Sequence, residues 1–410
     1  MRSLMKWIGL GVGGIVGLAI ILALVLLLIN AWDVPLDPRA AAILEERHDL
    51  VPAKDNAYFA IAALDMPASA DEVGEPLLCG RAQRLEDCIE RLRARPDDAA
   101  EVLSANRAFL AQYEALADYL RFEDPVPLTD YSKILKWHPF LVGQQFFLTE
   151  QALSIGRGDV DAAIDHLQRD VAFNRRMLAE RDQLIIDKVV PAAALRNTLL
   201  FIADLARSVA LTDAQFKRLG DIVTPLTDQE RSLGGVYNRE FTGFASTMTS
   251  LRDGDVNGSL WNYLQFRFFK RNDTLNLQWA LVQQEEAASA APCTELVARQ
   301  NELLKSAKIP AVKFLYNPIG KLLFKIAVPT ADHYPMVLCD LQGMQSIMAL
   351  QLEMRGRGLT GTDAAEYLRN KSDDYRNPYT HQPFVWDAVG KTLTFSPVAE
   401  RDRRYLPWAI

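Results

Sequence analysis

The densest run of oxygen-bearing side chains is Asp253-Gly254-Asp255-Val256-Asn257-Gly258. It sets oxygens at positions 1, 3 and 5 and glycine at position 6, in the order of a calcium loop of the EF-hand type. Leu260 at position 8 also suits that template, but position 12 is Leu264, where the loop needs a bidentate glutamate. Asp, Asn and Gly build ordinary turns as well. The expectation is a surface loop, with calcium held by Asp253, Asp255 and Asn257 as the sharper alternative and no other cofactor indicated.

Four cysteines, Cys79, Cys88, Cys293 and Cys339, form no CxxC pair and have no histidine close in sequence, so neither redox catalysis nor a zinc site is indicated. Four cysteines allow three connectivities. Neighbours in the chain need the least reorganisation, which favours Cys79–Cys88 and Cys293–Cys339 as structural staples in an oxidising compartment. The five histidines, His48, His138, His166, His333 and His381, are scattered. His166 and Asp170 share a helix face, where a surface ion pair is expected and a metal or a carboxylate-held base is the sharper alternative. Glu285-Glu286 are adjacent on a helix and do not face each other, so they make no glycosidase pair alone. No GxSxG or HExxH occurs, and Ser3-x-x-Lys6 is the sole S-x-x-K spacing. No recognisable catalytic set emerges.

These residues hang from an anchor. Trp7–Ile29 is an uninterrupted apolar run without charge. A bilayer core about 30 Å thick needs about 20 helical residues, so the run can span it. A secretory signal has a shorter core and small residues at its cleavage site, whereas here Asn30-Ala31-Trp32-Asp33-Val34-Pro35 follow. Arg2 and Lys6 precede the span and Asp33 and Asp37 follow it, which leaves the N-terminus in the cytoplasm and the main domain outside. Trp7 and Trp32 suit the two headgroup layers, and Gly9, Gly13 and Gly17 line one face where a second helix can approach, in a homodimer or beside an envelope partner.

The rest of the chain reads as mainly α. Half its residues are apolar and a quarter charged, and the net charge of −7 argues against nucleic acid and does not suggest broad attachment to anionic lipid. The expected division is a cytoplasmic tail 1–6, a transmembrane helix 7–29, a linker 30–36, a helical domain 37–225, a second helical region 226–355 with a glycine-rich and aromatic segment, and a C-terminal segment 356–410 with a β-hairpin. Asp37-Pro38 reads as a cap and first helical residue, and helices are expected near 57–64 and 81–95. Val102 to Leu120 carries the spacing of one amphipathic helix. Asp159 reads as a cap for a helix through Leu178, Ile185–Ala210 as a central helix apolar almost all round, and Thr212-Asp213-Ala214-Gln215 as a capping box. Past Pro225, Gly234, Gly235, Gly243, Gly254 and Gly258 break the helical rhythm. Trp261, Tyr263, Phe266, Phe268 and Phe269 then alternate with Arg267, Lys270 and Arg271, a segment that suits a membrane surface, an apolar ligand or plain core packing. Helices resume near 294–308 and 338–355, and strands from Phe384 and Thr392 flank Asp387–Lys391 as a small hairpin.

Tyr316-Asn317-Pro318-Ile319-Gly320-Lys321, Asp340, and Arg376-Asn377-Pro378-Tyr379-Thr380-His381-Gln382-Pro383-Phe384-Val385-Trp386-Asp387 resemble the closing region of a family of bacterial envelope proteins. The resemblance implies an N-terminal anchor, a helical body and a final D/N-P-[FY]-T-x-x-P hairpin, and assigns no catalytic residue. The expectation is a single-pass bacterial inner-membrane protein with a periplasmic helical hairpin or bundle domain, binding a partner in the cell envelope without catalysis. The alternative is a hydrolase or ligand-binding enzyme acting on cell-wall or lipid material.

Overall fold

In the computed structural model the apolar run lies in one long helix, α1 (Arg2–Ile29), whose described side chains from Ile15 to Ile29 stand largely exposed, Ile15 at 71 %. The structure describes residues 2–46, 51–66, 78–79, 85–125, 134–253, 267–306, 308–327, 334–359, 361–371, 375–387, 389, 392–398 and 408–409. Asp37 opens α2 (Pro38–Glu45) as expected, its carboxylate accepting from Arg39 N. Next come α3 (Ala57–Ala62) and α4 (Leu85–Ala94). The single helix expected over Val102–Leu120 is two, α5 (Pro96–Ala105) and α6 (Arg107–Ala115). The break falls at Asn106, whose side chain turns back to Val102 O and so competes with the helical ladder.

The body is organised around α9 (Ile185–Ser208), which is covered by its neighbours as its composition demands. It packs along α8 (Val160–Ala179) and against α4, α7 (His138–Arg157), α12 (Val236–Asp253) and α16 (Tyr334–Gly356). Asp159 does not cap α8 with its side chain and instead pairs with Arg157. Thr212 and Gln215 do make the reciprocal capping box that opens α10 (Asp213–Ile222), and Thr227 and Glu230 repeat it at α11 (Asp228–Arg231). Buried Glu230 also takes a bidentate bond from Arg175 at 2.7 and 2.8 Å, tying α11 to α8.

Beyond Pro225 the chain is more helical than its glycines suggest. Gly243 lies inside α12, where Thr242, Thr247 and Thr249 donate to carbonyls four residues back. Gly235 is the one that bends the chain, with φ of +80°, and a Cβ there would run into Asp182. α13 (Arg271–Ser289), α14 (Cys293–Ser306), α15 (Pro318–Ala327) and α17 (Gly361–Asn370) complete the helices. One apolar cluster runs from Ala40 to Leu352 and includes residues on both sides of the composition change at Pro225. A smaller cluster seats the C-terminal hairpin on α16 through Ile347, Leu350, Leu393 and Phe395. That hairpin, β1 (Val385–Asp387) antiparallel to β2 (Thr392–Thr394), is a residue shorter at its outer ends than expected, and Trp408–Ala409 (β3) adds to the β2 edge. Gly343 on α16 is required there, because a Cβ would run into the Phe395 ring.

Candidate functional site

The calcium reading is left with one described residue. Asp253 ends α12, while Asp255 and Asn257 lie outside the described residues, as does the aromatic segment up to Phe266. Of that segment Phe269 is buried in the main core and Arg267 is exposed. Among the described residues no group of three or more His, Cys, Asp or Glu side chains gathers where a metal could sit. The cysteines meet in the two pairs that chain proximity favours, Cys79 with Cys88 and Cys293 with Cys339, with Cα atoms 5.6 and 6.0 Å apart. The second pair joins α14 to α16, and both fit an oxidising compartment.

His166 and Asp170 do not form the surface pair that their spacing suggests. His166 Nδ1 lies 3.6 Å from Glu114 Oε1, and Asp170 is buried. Asp170 accepts from Tyr113 Oη (2.8 Å), Thr198 Oγ1 (2.6 Å) and Asn174 Nδ2 (3.3 Å), so α6, α8 and α9 meet at its carboxylate. Gln144 of α7 extends the network by donating to Ala194 O and Thr198 Oγ1. Burial pushes the Asp170 carboxyl up from 3.8 to about 6 despite those donors, and pushes the Tyr113 hydroxyl up as well. The adjoining cleft, lined by Tyr113, Glu114, His166, Arg169 and Phe173, encloses about 20 Å³. That is room for about one water molecule rather than a sugar ring. Glu285 is buried and Glu286 half-buried, and neither lines the Tyr113–Asp170 cleft.

A second buried centre sits at the start of α9. Asp187 accepts from Trp137 Nε1 (3.1 Å) and Leu184 N (3.2 Å), and burial, reinforced by nearby Asp124, pushes its carboxyl up to about 7. The Lys188 ammonium donates to Leu178 O, and burial lowers it to about 8. Asp187 thus caps its own helix and ties it to Trp137 at the start of α7, and Lys188 ties it to α8.

A densely bonded site lies where α1 meets the body. Asn30, fully buried one residue past α1, donates to Leu26 O (2.9 Å) and Leu315 O (2.8 Å) and accepts from Asn317 N (2.7 Å). Asn317 takes a φ of +51°, a left-handed conformation that Asn tolerates, and Pro318 then starts α15. The Asn317 carboxamide is saturated. Its oxygen accepts from Lys270 N (2.8 Å) and Gly320 N (3.1 Å), and its nitrogen donates to Lys270 O (3.1 Å), Asp273 Oδ2 (2.8 Å) and Thr274 Oγ1 (2.9 Å). A Cβ at Gly320 would run into Thr274 and Asn317. Buried Lys321 donates to Tyr316 O (2.6 Å) and lies 3.3 Å from Asp273.

The linker is tied just as closely. Asp33 accepts from Asn272 N (2.8 Å) and Asp273 N (3.2 Å), putting a carboxylate at the first turn of α13, where the helix dipole favours it. Asn272 donates to Val34 O, Asn276 donates to Pro35 O and accepts from Asp37 N, and Tyr316 donates to Trp32 O. Residues 30–37 are therefore a splint. The sequence marks Trp32, Asp33 and Asp37 singly, as a headgroup residue, flanking charges and a helix cap, and does not show what they bond to. Tyr316-Asn317-Pro318-Ile319-Gly320-Lys321 was picked out only by resemblance, and four of the six contribute hydrogen bonds or a required glycine at this joint. The other motif is also a clamp. Asn377 accepts from Tyr379 N and closes a turn in which His381 takes positive φ, and Tyr379 Oη donates to Asp340 on α16 at 2.6 Å.

No family model, curated protein or solved structure matches the chain. Among the described residues one helix, α9, is long and apolar enough to cross a membrane by length and composition, and 61 % of its apolar window is buried in the body. α1 carries a second apolar stretch, Gly14–Ile29, that the body leaves exposed.

Proposed function

We propose that this chain is a single-pass bacterial inner-membrane protein, with α1 as the span, a cytoplasmic N-terminus and a periplasmic helical body, that acts by binding a partner in the cell envelope rather than by catalysis. The observation that carries the reading is the splint. A tether that only retained a domain at a membrane would need no ordered linker, whereas residues 30–37 are bonded to α13 and to the Tyr316–Lys321 segment throughout. The body is thereby held at one height and one angle to the helix that would cross the bilayer, which suits assembly with a neighbour. The exposed apolar stretch of α1, the charges Arg2 and Lys6 before it and Asp33 and Asp37 after it, and two disulfide pairs support the topology. Open space around Gly17 leaves that face of α1 free for a second helix, in a homodimer or beside another subunit. The hydrolase alternative has as its best support the Tyr113–Asp170 cleft, whose carboxylate is already occupied by three donors.

The test is crosslinking in native membranes followed by affinity capture of the full chain and of a chain in which an unrelated span replaces Trp7–Ile29. A stoichiometric partner held by the full chain is expected. Its loss on replacement places binding in the span, its retention places it on the body, and recovery of the protein alone would overturn the assembly reading.

A further inference from the structure

The splint does more than orient the body, because it fixes one particular surface beside the end of the span. Asn30 is bonded to Leu315 O and Asn317 N, so the 3-10 turn Ala311–Leu315 and the start of α15 are pinned to the last turn of α1. That surface is apolar and uncovered. Val312, Leu315, Leu322 and Ile326 are 49 to 70 % exposed, and Trp32, on the linker whose carbonyl Tyr316 holds, is 75 % exposed. α15 itself is two-faced. Phe324 is buried with Leu281 and Leu303, and Ile319 and Leu323 lean on the main core, while Leu322 and Ile326 stand one helical turn apart on the outside. Lys308, Lys313 and Lys325 are exposed around this rim.

We propose that the 3-10 turn and α15 form a second, peripheral membrane contact, with the lipid headgroup layer as its occupant. The inference rests on α1 being the span. Given that, the clamp at Asn30 sets the rim at the boundary where the span leaves the hydrocarbon. Apolar side chains there sink roughly 5–10 Å into the headgroup and acyl boundary. Tryptophan is favoured at that depth, and lysine stems can lie along the apolar surface with their ammonium groups among the phosphates. The chain as a whole carries a net charge of −7, so the attraction is local to these lysines and does not come from a basic protein settling on an anionic surface. A three-point seat of span, rim and splint leaves the body with one orientation over the bilayer.

The experiment uses the full chain in vesicles of phosphatidylcholine and phosphatidylglycerol. One cysteine is introduced at a time at Leu22, Val312, Leu322, Ile326 or Leu120 and labelled with an environment-sensitive dye, and quenching is read with spin-labelled lipids. Labels at Val312, Leu322 and Ile326 should shift to the blue and be quenched by a spin label near the headgroup. The Leu22 label should be quenched by one deep in the acyl chain, and Leu120, an exposed apolar site elsewhere on the body, should be quenched by neither. Quenched Leu22 with unquenched Leu322 and Ile326 overturns the inference and leaves the anchor standing; unquenched Leu22 removes the anchor and the inference with it. In a chain carrying Leu322→Glu and Ile326→Glu, both exposed positions that the core does not use, headgroup quenching of the Val312 label should be lost with the body's melting unchanged. Quenching that persists undiminished would count against α15 as the seat.

Discussion

α1 and α9 are both long and both apolar, and the molecule treats them in opposite ways. α9 is enclosed by helices, whereas α1 shows its apolar side chains to the surroundings. What separates them is the handful of polar residues each carries. Of the polar residues of α9, Asp187, Lys188, Asn197, Thr198 and Asp204 are bonded to other parts of the body, to Trp137, Leu178 O, Gln144, Asp170 and Leu85 N respectively, while Arg207 and Ser208 near its end bond to Asp204 of the same helix. Facing lipid, those groups would have no such partners, and at a bilayer centre Asp or Lys costs about 2.5–3.5 kcal/mol or more. Trp7–Ile29 carries no charge, and its one side-chain donor, the Trp7 indole, stands at its end, where the headgroup layer can accept it. Apolarity picks out both helices; the polar groups and their partners tell a core helix from a candidate span.

Truncation should split the pair most sharply. Leu195 is fully buried, so Leu195→Ala should destabilise the body by about 2–5 kcal/mol, while Leu22→Ala on exposed α1 should leave body melting unchanged. Thermal unfolding of the detergent-solubilised chain, followed through the body's near-UV signal, reads both. Equal losses would mean that α1 is packed like α9. A change of charge on each helix should next separate them in the reverse sense. Leu22→Lys should cost about 3 kcal/mol of insertion and release the protein from carbonate-washed membranes. Lys188→Met on α9 replaces an already buried cation, and its melting should move far less.

The buried acids of α9 and its neighbour give the comparison a pH signature. Asp170 and Asp187 bind their protons more tightly folded than unfolded, with folded values of about 6 and about 7 against 3.8. Folding is therefore favoured at low pH by these two groups. Their contribution falls as pH rises from about 4 to about 6 for Asp170, by about 3 kcal/mol in order of magnitude, and from about 4 to about 7 for Asp187, by about 4 kcal/mol. Lys188 has its folded value lowered from 10.5 to about 8, so its contribution rises over that higher window. The summed contribution of these three groups is therefore smallest between about pH 7 and about pH 8. Asp170→Asn should flatten the fall between about pH 4 and about pH 6 in melting-temperature scans; an unchanged slope would mean that Asp170 titrates as an ordinary surface carboxylate.

Most of the helices were legible because their faces alternate in period, as in α8, or because caps announce them, as at Asp37 and Thr212. α7 was missed because Phe140, Phe146, Phe147 and Gly143 give it no polar face: it is buried on nearly all sides, and periodicity needs a contrast. α12 was obscured by threonines and a glycine that favour other conformations; in the helix Thr242, Thr247 and Thr249 turn their hydroxyls to carbonyls of the preceding turn, and packing rather than local tendency holds it. The splint was illegible for a different reason. Asn30 and Asn317 are 287 positions apart, and nothing local at either one records that the other completes its hydrogen bonds. Asn317 before a proline was a visible sign of an unusual backbone, but its partner was not.

The joint between the two helices' worlds supplies the smallest effect and the most direct reading of rigidity. Asp33 is exposed and gives α13 a capping carboxylate from the linker, so Asp33→Ala should cost about 1 kcal/mol, scarcely moving global melting. Its local consequence should be larger, because Asn272 N and Asp273 N lose the acceptor that ties the linker to the body. Limited proteolysis in membranes should then show faster cleavage within residues 31–37, with Asp33→Asn intermediate because it keeps one acceptor oxygen and loses the charge. If cleavage of the Asp33→Ala chain is no faster than that of the unaltered chain, the carboxylate contributes nothing to the splint, and the fixed geometry between α1 and the body must rest on the Asn30–Asn317 bond and the bonds that Asn272, Asn276 and Tyr316 make to the linker.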